Sequence, residues 1–129
     1  MAAPYDGKTI LIVDDDTDIL TAIETAFQGT GARIITATDG ATATTVAQEQ
    51  QPDLIILDAM LPQRSGFLVL EKLKSKKPRG SKPYIIMITA NTGKRHQAWA
   101  ENLGADGYIN KPFRMDRLIE STQALLAKG

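Results

Sequence analysis

The sequence has no cysteine among its 129 residues, so disulfide bridges, thiolate nucleophiles and zinc–thiolate sites are excluded. That absence fits a reducing compartment, and a cytoplasmic location is the expectation. Net charge is absent too: 15 basic and 15 acidic residues sum to +0. Neither nucleic acid nor a membrane surface is therefore expected as a direct partner, since overall charge supplies no general attraction to either. No apolar run approaches the ~20 residues needed to span a bilayer. The opening MAAPYDGKTI has no basic stretch followed by an apolar signal core. Histidine is nearly missing as well. The single one, His96, falls in a helical segment and reads as a surface or packing residue rather than a phosphoryl donor or metal ligand.

What remains is the composition of one soluble domain with a substantial core, 43% hydrophobic and 23% charged. A single domain over residues 1–129 is expected, with its core at about 8–128. Short apolar runs recur along it: KTILIV (8–13), ARIITA (32–37), DLIIL (53–57), YIIMIT (84–89) and GYIN (107–110). Several are continuous rather than alternating, as in strands covered on both faces of a parallel sheet. Helix-like segments separate them. In residues 15–28, Ile19, Leu20, Ile23 and Phe27 recur at helical spacing, and Gly29 stops the run. Residues 39–50 are rich in Ala and Thr and end before Pro52; residues 65–76 carry a stripe of Phe67, Val69, Leu70 and Leu73. Residues 93–103 end at Gly104, and residues 113–127 hold Leu118, Ile119, Leu125 and Leu126. Strand then helix, repeated five times, predicts an α/β doubly wound fold with right-handed crossovers. One compositional shift stands out, the basic KSKKPRGSKP at 74–83. With Lys72, Lys74, Lys76, Lys77, Arg79 and Lys82 it reads as a solvated loop at the far end of the sheet. No recognition helix or aromatic platform accompanies it, which weighs against nucleic-acid binding.

In such folds the working site lies at the carboxyl ends of the strands. There the first strand ends at Asp14 and Asp15, the third at Asp58, the fourth at Thr89 and the fifth near Lys111. Three carboxylates held close repel and raise one another's pKa, a conflict that a divalent cation removes. Oxygen ligands without His or Cys suit a hard ion, so Mg²⁺ is expected. A carboxylate beside such an ion can attack phosphorus and become an aspartyl phosphate. Lys111 would offer charge and Thr89 a hydrogen bond to the phosphoryl oxygens. Simpler readings exist. Asp14 and Asp15 suit helix N-caps, Asp16 an exposed helix-start acid, and Asp58 a turn before Pro62. Thr89 and Tyr108 suit ordinary strand positions. Trp99 reads as partly core, with a partner contact as the alternative.

Together, in order, the acidic pair in LIVDDD, the LDAMLP segment, Gly66 eight residues past Asp58, MITA and GADGYINKPF resemble the receiver domain of two-component response regulators. The resemblance runs from about Lys8 to Lys128. It implies a flavodoxin-like three-layer sandwich with strand order 2-1-3-4-5. It implies that Asp58 accepts a phosphoryl group from a phosphohistidine on a sensor histidine kinase or phosphotransfer protein. Asp15 would bind Mg²⁺ directly, Asp14 mainly through water, and Asp58 and the Met60 backbone carbonyl would complete the set, with Mn²⁺ able to substitute. Thr89 would be the switch hydroxyl, Tyr108 its aromatic partner and Lys111 the phosphoryl-binding ammonium. Lys111–Pro112 would be cis. The readout surface would comprise the fourth helix, fifth strand and fifth helix. Asp16 departs from the pattern, standing where the family often has Glu. Met60 and Asn91 occupy the positions that tune phosphoryl lifetime; an apolar residue and a neutral amide there imply an intermediate to long-lived state. The implied role is a signalling switch rather than an enzyme. It would act as monomer or phosphorylation-dependent dimer, on a downstream protein or an output domain. An Asp-nucleophile phosphohydrolase is the rival, but those enzymes place a second acid where Met60 stands. A flavodoxin-like cofactor binder is a third reading, disfavoured because the strand-end loops lack a phosphate-cradling Ser/Thr/Gly run.

Overall fold

A computed structural model describes residues 5–62, 64–75, 77, 80–90 and 94–128; Asn91, Lys76 and Arg79 lie outside the described residues. Five strands and five helices alternate: β1 (Thr9–Val13), α1 (Thr17–Ala26), β2 (Arg33–Ala37), α2 (Gly40–Gln50), β3 (Leu54–Asp58), α3 (Gly66–Lys74), β4 (Tyr84–Thr89), α4 (Lys94–Asn102), β5 (Gly107–Asn110) and α5 (Met115–Leu126). All strand pairs are parallel, in the order β2-β1-β3-β4-β5. This is the doubly wound topology the alternation implied.

The continuous apolar runs are explained by the two faces of this sheet. Successive strand side chains point to opposite sides. Ile10, Ile12, Leu54, Ile56, Ile86 and Ile88 pack beneath α1 and α5, against Ile23, Phe27 and Leu118. Leu11, Val13, Ile55, Leu57, Ile85 and Met87 pack on the other side, against Ala43, Ala47, Leu70 and Leu73 of α2 and α3. Both sets are buried, so no alternation survives in the central strands. Each such side chain contributes roughly 1.5–3 kcal/mol through burial.

Three of the helix starts, those of α1, α2 and α3, are set by side-chain caps. Asp16 accepts bonds from the N–H groups of Asp18 (2.9 Å) and Ile19 (3.4 Å), Asp39 from Thr42 (2.7 Å) and Ser65 from Leu68 (3.3 Å). The helices run up to two residues shorter at either end than the sequence pattern suggested, and β3 extends to include Asp58. α4 is the least anchored, with Ala100 its one buried residue. Trp99, 48% exposed, nevertheless stacks on Phe67 of α3 with ring centroids 4.4 Å apart.

The basic segment differs from expectation. Lys72 and Lys74 belong to the last turn of α3, and Lys74 is buried rather than solvated. Its ammonium donates to the carbonyls of Ser81 (2.7 Å) and Pro83 (3.0 Å) and to Asp106 Oδ2 (3.0 Å). The same Asp106 oxygen accepts the Ile85 N–H at 2.9 Å. A buried ammonium is tolerated because every one of its three donors is matched. Lys111–Pro112 is cis, as expected, and so is Lys82–Pro83.

Candidate functional site

Parallel pairing puts the strand ends side by side. Asp58, the last residue of β3, stands in register with Ile88 of β4, and the Ala59 N–H bonds to the Ile88 carbonyl at 2.9 Å. Thr89, fully buried, follows Ile88 and pairs in register with Asn110. The Lys111 N–H then bonds to the Thr89 carbonyl at 2.8 Å, and that of Asp14 to the Ala37 carbonyl at 3.2 Å. Five residues named from the sequence, Asp14, Asp15, Asp58, Thr89 and Lys111, thus meet at one edge.

The two buried acids share one cation. Lys111 Nζ lies 3.0 Å from Asp14 Oδ2 and 3.3 Å from Asp58 Oδ2. Each acid's other oxygen accepts a backbone N–H two residues on: Asp16 to Asp14 Oδ1 at 2.9 Å, and Met60 to Asp58 Oδ1 at 3.1 Å. These Asx-type bonds fix where both carboxylates point. Asp15 is exposed, yet one oxygen from each of Asp14, Asp15 and Asp58 falls within 4.8 Å of the others. Because Asp16 caps α1, neither Asp14 nor Asp15 is needed as its cap.

The charges do not balance. Three carboxylates face one ammonium, an excess of two negative charges. Burial foremost, with repulsion from Asp14, pushes the Asp58 carboxyl up to about 6 against the pull of the Met60 N–H and Lys111. Burial alone would lower the Lys111 pKa, but its bonds and attraction to Asp14 and Asp58 outweigh that and raise it. An all-oxygen donor set with two surplus charges fits a hard divalent cation.

Packing around Asp58 is tight. A Cβ on Gly66 would sit 2.1 Å from the Asp58 carbonyl oxygen and 2.8 Å from Ala59 Cα, so α3 abuts the end of β3 only with glycine there. Gly40, which the sequence reading missed, is similar. A Cβ there would lie 2.0 Å from the Arg64 carbonyl oxygen, so the start of α2 braces the same loop. Its only sequence signal was an Asp-Gly at a helix start. The Met60 side chain is 62% exposed at the rim. Tyr108 of β5 is half-buried, in register with Met87 and packed on the α2–α3 side of the sheet; burial raises its hydroxyl pKa. His96 approaches Phe67 at 6.2 Å between ring centroids.

Over residues 10–123 the chain matches the response regulator receiver domain family, and it belongs to that family. It is 35% identical over 125 residues to the probable transcriptional regulatory protein TcrX of Mycobacterium tuberculosis, covering 95% of this chain and 52% of that protein. To the phosphate regulon transcriptional regulatory protein PhoB of Pseudomonas aeruginosa it is 38% identical over 122 residues, covering 95% and 53%. The chain therefore spans about half the length of the curated relatives it matches. Among solved structures, the receiver domain of Francisella response regulator 1452 superposes with a TM-score of 0.85 at 27% identity, covering 95% of this chain and 98% of that one. A CheY-like receiver domain protein from Methanospirillum hungatei does so at 0.85 and 30%, covering 94% of each. No helix among the described residues is long and apolar enough to cross a membrane.

Proposed function

We propose that this receiver domain is a phospho-acceptor switch in which Asp58 takes a phosphoryl group from a phosphohistidine on a sensor kinase or phosphotransfer protein. The observation that carries the reading is the Asp58 carboxylate, 3% exposed and held between the Met60 N–H and Lys111 Nζ, with Asp14 and Asp15 within ligand distance. A carboxylate oxygen of Asp58 attacks phosphorus. The P–N bond breaks, and its electron pair returns to the donor imidazole. Mg²⁺ held by Asp14, Asp15, Asp58 and the Met60 carbonyl would neutralise the surplus charge and the phosphoryl oxygens, and Mn²⁺ has the same ligand preferences. Lys111, already 3.3 Å from Asp58, follows the new anion. Phosphorylation adds roughly −1.5 to −2 charge, and the hydroxyl of Thr89, the last residue of the neighbouring strand β4, turns toward it. Tyr108, half-buried two residues before Asn110, would move with Thr89 and alter the α4–β5–α5 face. That face signals to a downstream protein or an attached output domain, in the cytoplasm, as a monomer or as a dimer formed on phosphorylation. The domain acts on itself and is not otherwise an enzyme.

Acetyl phosphate with Mg²⁺ should add one acid-stable, base-labile phosphoryl group, read by intact mass, and Asp58→Asn should abolish it. Steady turnover of many phosphate esters would instead mark a phosphohydrolase. The same labelled protein tests lifetime. The apolar, exposed Met60 has no group to orient water at phosphorus, so the phosphoryl group should persist, and Met60→Asn should shorten its half-life several-fold. An unchanged decay rate in Met60→Asn counts against this role for Met60.

A further inference from the structure

At the opposite end of the sheet, the C-terminal ends of α2 and α3 with Lys77, Lys82 and Pro83 border an open cleft of about 430 Å³. That volume falls in the range of roughly 300–1,000 Å³ typical of small-molecule sites. Three features of its lining are unlike a plain solvated surface. First, Lys72, Lys77 and Lys82 all line it and no acid does. Asp53, just outside, pairs with Lys82 Nζ at 3.1 Å, and Lys77 Nζ donates to the Lys82 carbonyl at 3.1 Å. Each of those bonds occupies one of three ammonium donors, so both side chains are oriented with donors to spare. Among the described residues the lining thus carries three ammonium groups, one of them paired with a carboxylate beside the cleft.

Second, the lining is not only cationic. Ala47, Leu73 and Pro83 give it apolar wall, and the amides of Gln48 and Gln51 stand beside them. Third, Gln51 adopts φ 48° and ψ 61°, and it is the only non-glycine residue with positive φ among the described residues. Glycine is the residue that ends a helix this way without strain. Gln51 holds this conformation as a non-glycine residue and lines the cleft.

We propose that this cleft binds a nucleotide. The lysines would take a phosphate chain of two or more negative charges, the apolar wall would cover the base, and the two glutamine amides would pair with the base edge. The proposal is independent of phosphoryl transfer at Asp58, which lies at the other end of the sheet. Nor does it need the whole chain's charge, since the cation excess is local.

The test is isothermal titration calorimetry with ATP and GTP in the presence of a chelator, so that the acidic edge repels rather than recruits phosphate. One nucleotide should bind per chain. Lys72→Gln/Lys77→Gln/Lys82→Gln should weaken it at least about tenfold, as expected for loss of charge-assisted bonds. Gln51→Gly should raise the melting temperature while weakening binding several-fold, a combination that a purely structural Gln51 does not produce. Both variants should still label at Asp58 with acetyl phosphate, which shows that they are folded. The proposal is overturned by no binding at millimolar nucleotide, or by unchanged affinity in the triple variant. Inorganic triphosphate binding as tightly as ATP, or a single-stranded oligonucleotide binding more tightly, also overturns it.

Discussion

Each end of the sheet pairs a lysine with acid, and the two ends differ in stoichiometry. At the amino end, Lys74 has one carboxylate and two carbonyls around it, and Asp106 has a second donor in the Ile85 N–H. At the carboxyl end, Lys111 is divided between Asp14 and Asp58, with Asp15 close by. The first arrangement is closed: it joins α3 to the turn before β4 and to β5, and it has no capacity to react. The second leaves negative charge over, which suits a hard cation, and under the proposed function it keeps a carboxylate available to an electrophile. The same side-chain chemistry thus gives a structural lock in one place and the proposed reactive site in the other. What decides between them is the count of acids per ammonium and the access of solvent.

Breaking the lock should have the largest effect on stability. Lys74→Met leaves the largely buried Asp106 without its ion-pair partner and should cost about 3–5 kcal/mol in urea unfolding. Lys82→Met, at the more exposed pair with Asp53, is the control and should cost far less. Gly66→Ala comes next. Its Cβ would collide with the backbone of Asp58 itself, so about 3 kcal/mol should be lost, together with slower labelling of Asp58 by acetyl phosphate.

The smallest effect has the opposite sign and is specific to the reactive end. The Asp58 carboxyl is raised from 3.8 to about 6 in the metal-free protein. The folded state therefore holds this proton more tightly than the unfolded chain does. The resulting stabilisation is fully present below pH 3.8 and is lost as pH rises through about 6. It is at most about 3 kcal/mol. Without metal at pH 7.5, Asp58→Asn should then be more stable than the wild type by about 1–2 kcal/mol. The gap should close on acidification to pH 4 and shrink when Mg²⁺ is added. Asp39 and Asp53 are shifted downward, Asp39 first by its bond from the Thr42 N–H and Asp53 against its burial by Thr9 and Lys82. They favour stability above the ordinary carboxylate range, so the informative quantity is wild type minus variant at each pH.

Much of the carboxyl-end site was legible in the sequence because the parallel strands all end on that side. A residue that terminates an apolar run is delivered to the same edge whatever the packing details. Asp14, Asp58, Thr89 and Lys111 each had that position. Gly66 was legible from its place in the resemblance, though the reason, a Cβ 2.1 Å from the Asp58 carbonyl oxygen, was not. Gly40 had no comparable signal, since its constraint comes from Arg64 on a different loop. The basic segment was misread for a related reason. Lys72 and Lys74 are identical in type and two positions apart, and only packing separates the exposed one from the buried one.

The sequence by itself determined the alternation of strand and helix, the two-faced burial of the central strands, and which chemical groups stand at strand ends. Those are local matters of periodicity and residue type. Only the tertiary structure decided the partnerships: that Lys111 reaches across 97 and 53 residues to Asp14 and Asp58, and that Lys74 crosses 32 to Asp106. Distance along the chain carries no information about such pairs. They are set when both faces of the sheet close and the charges left inside have to find one another.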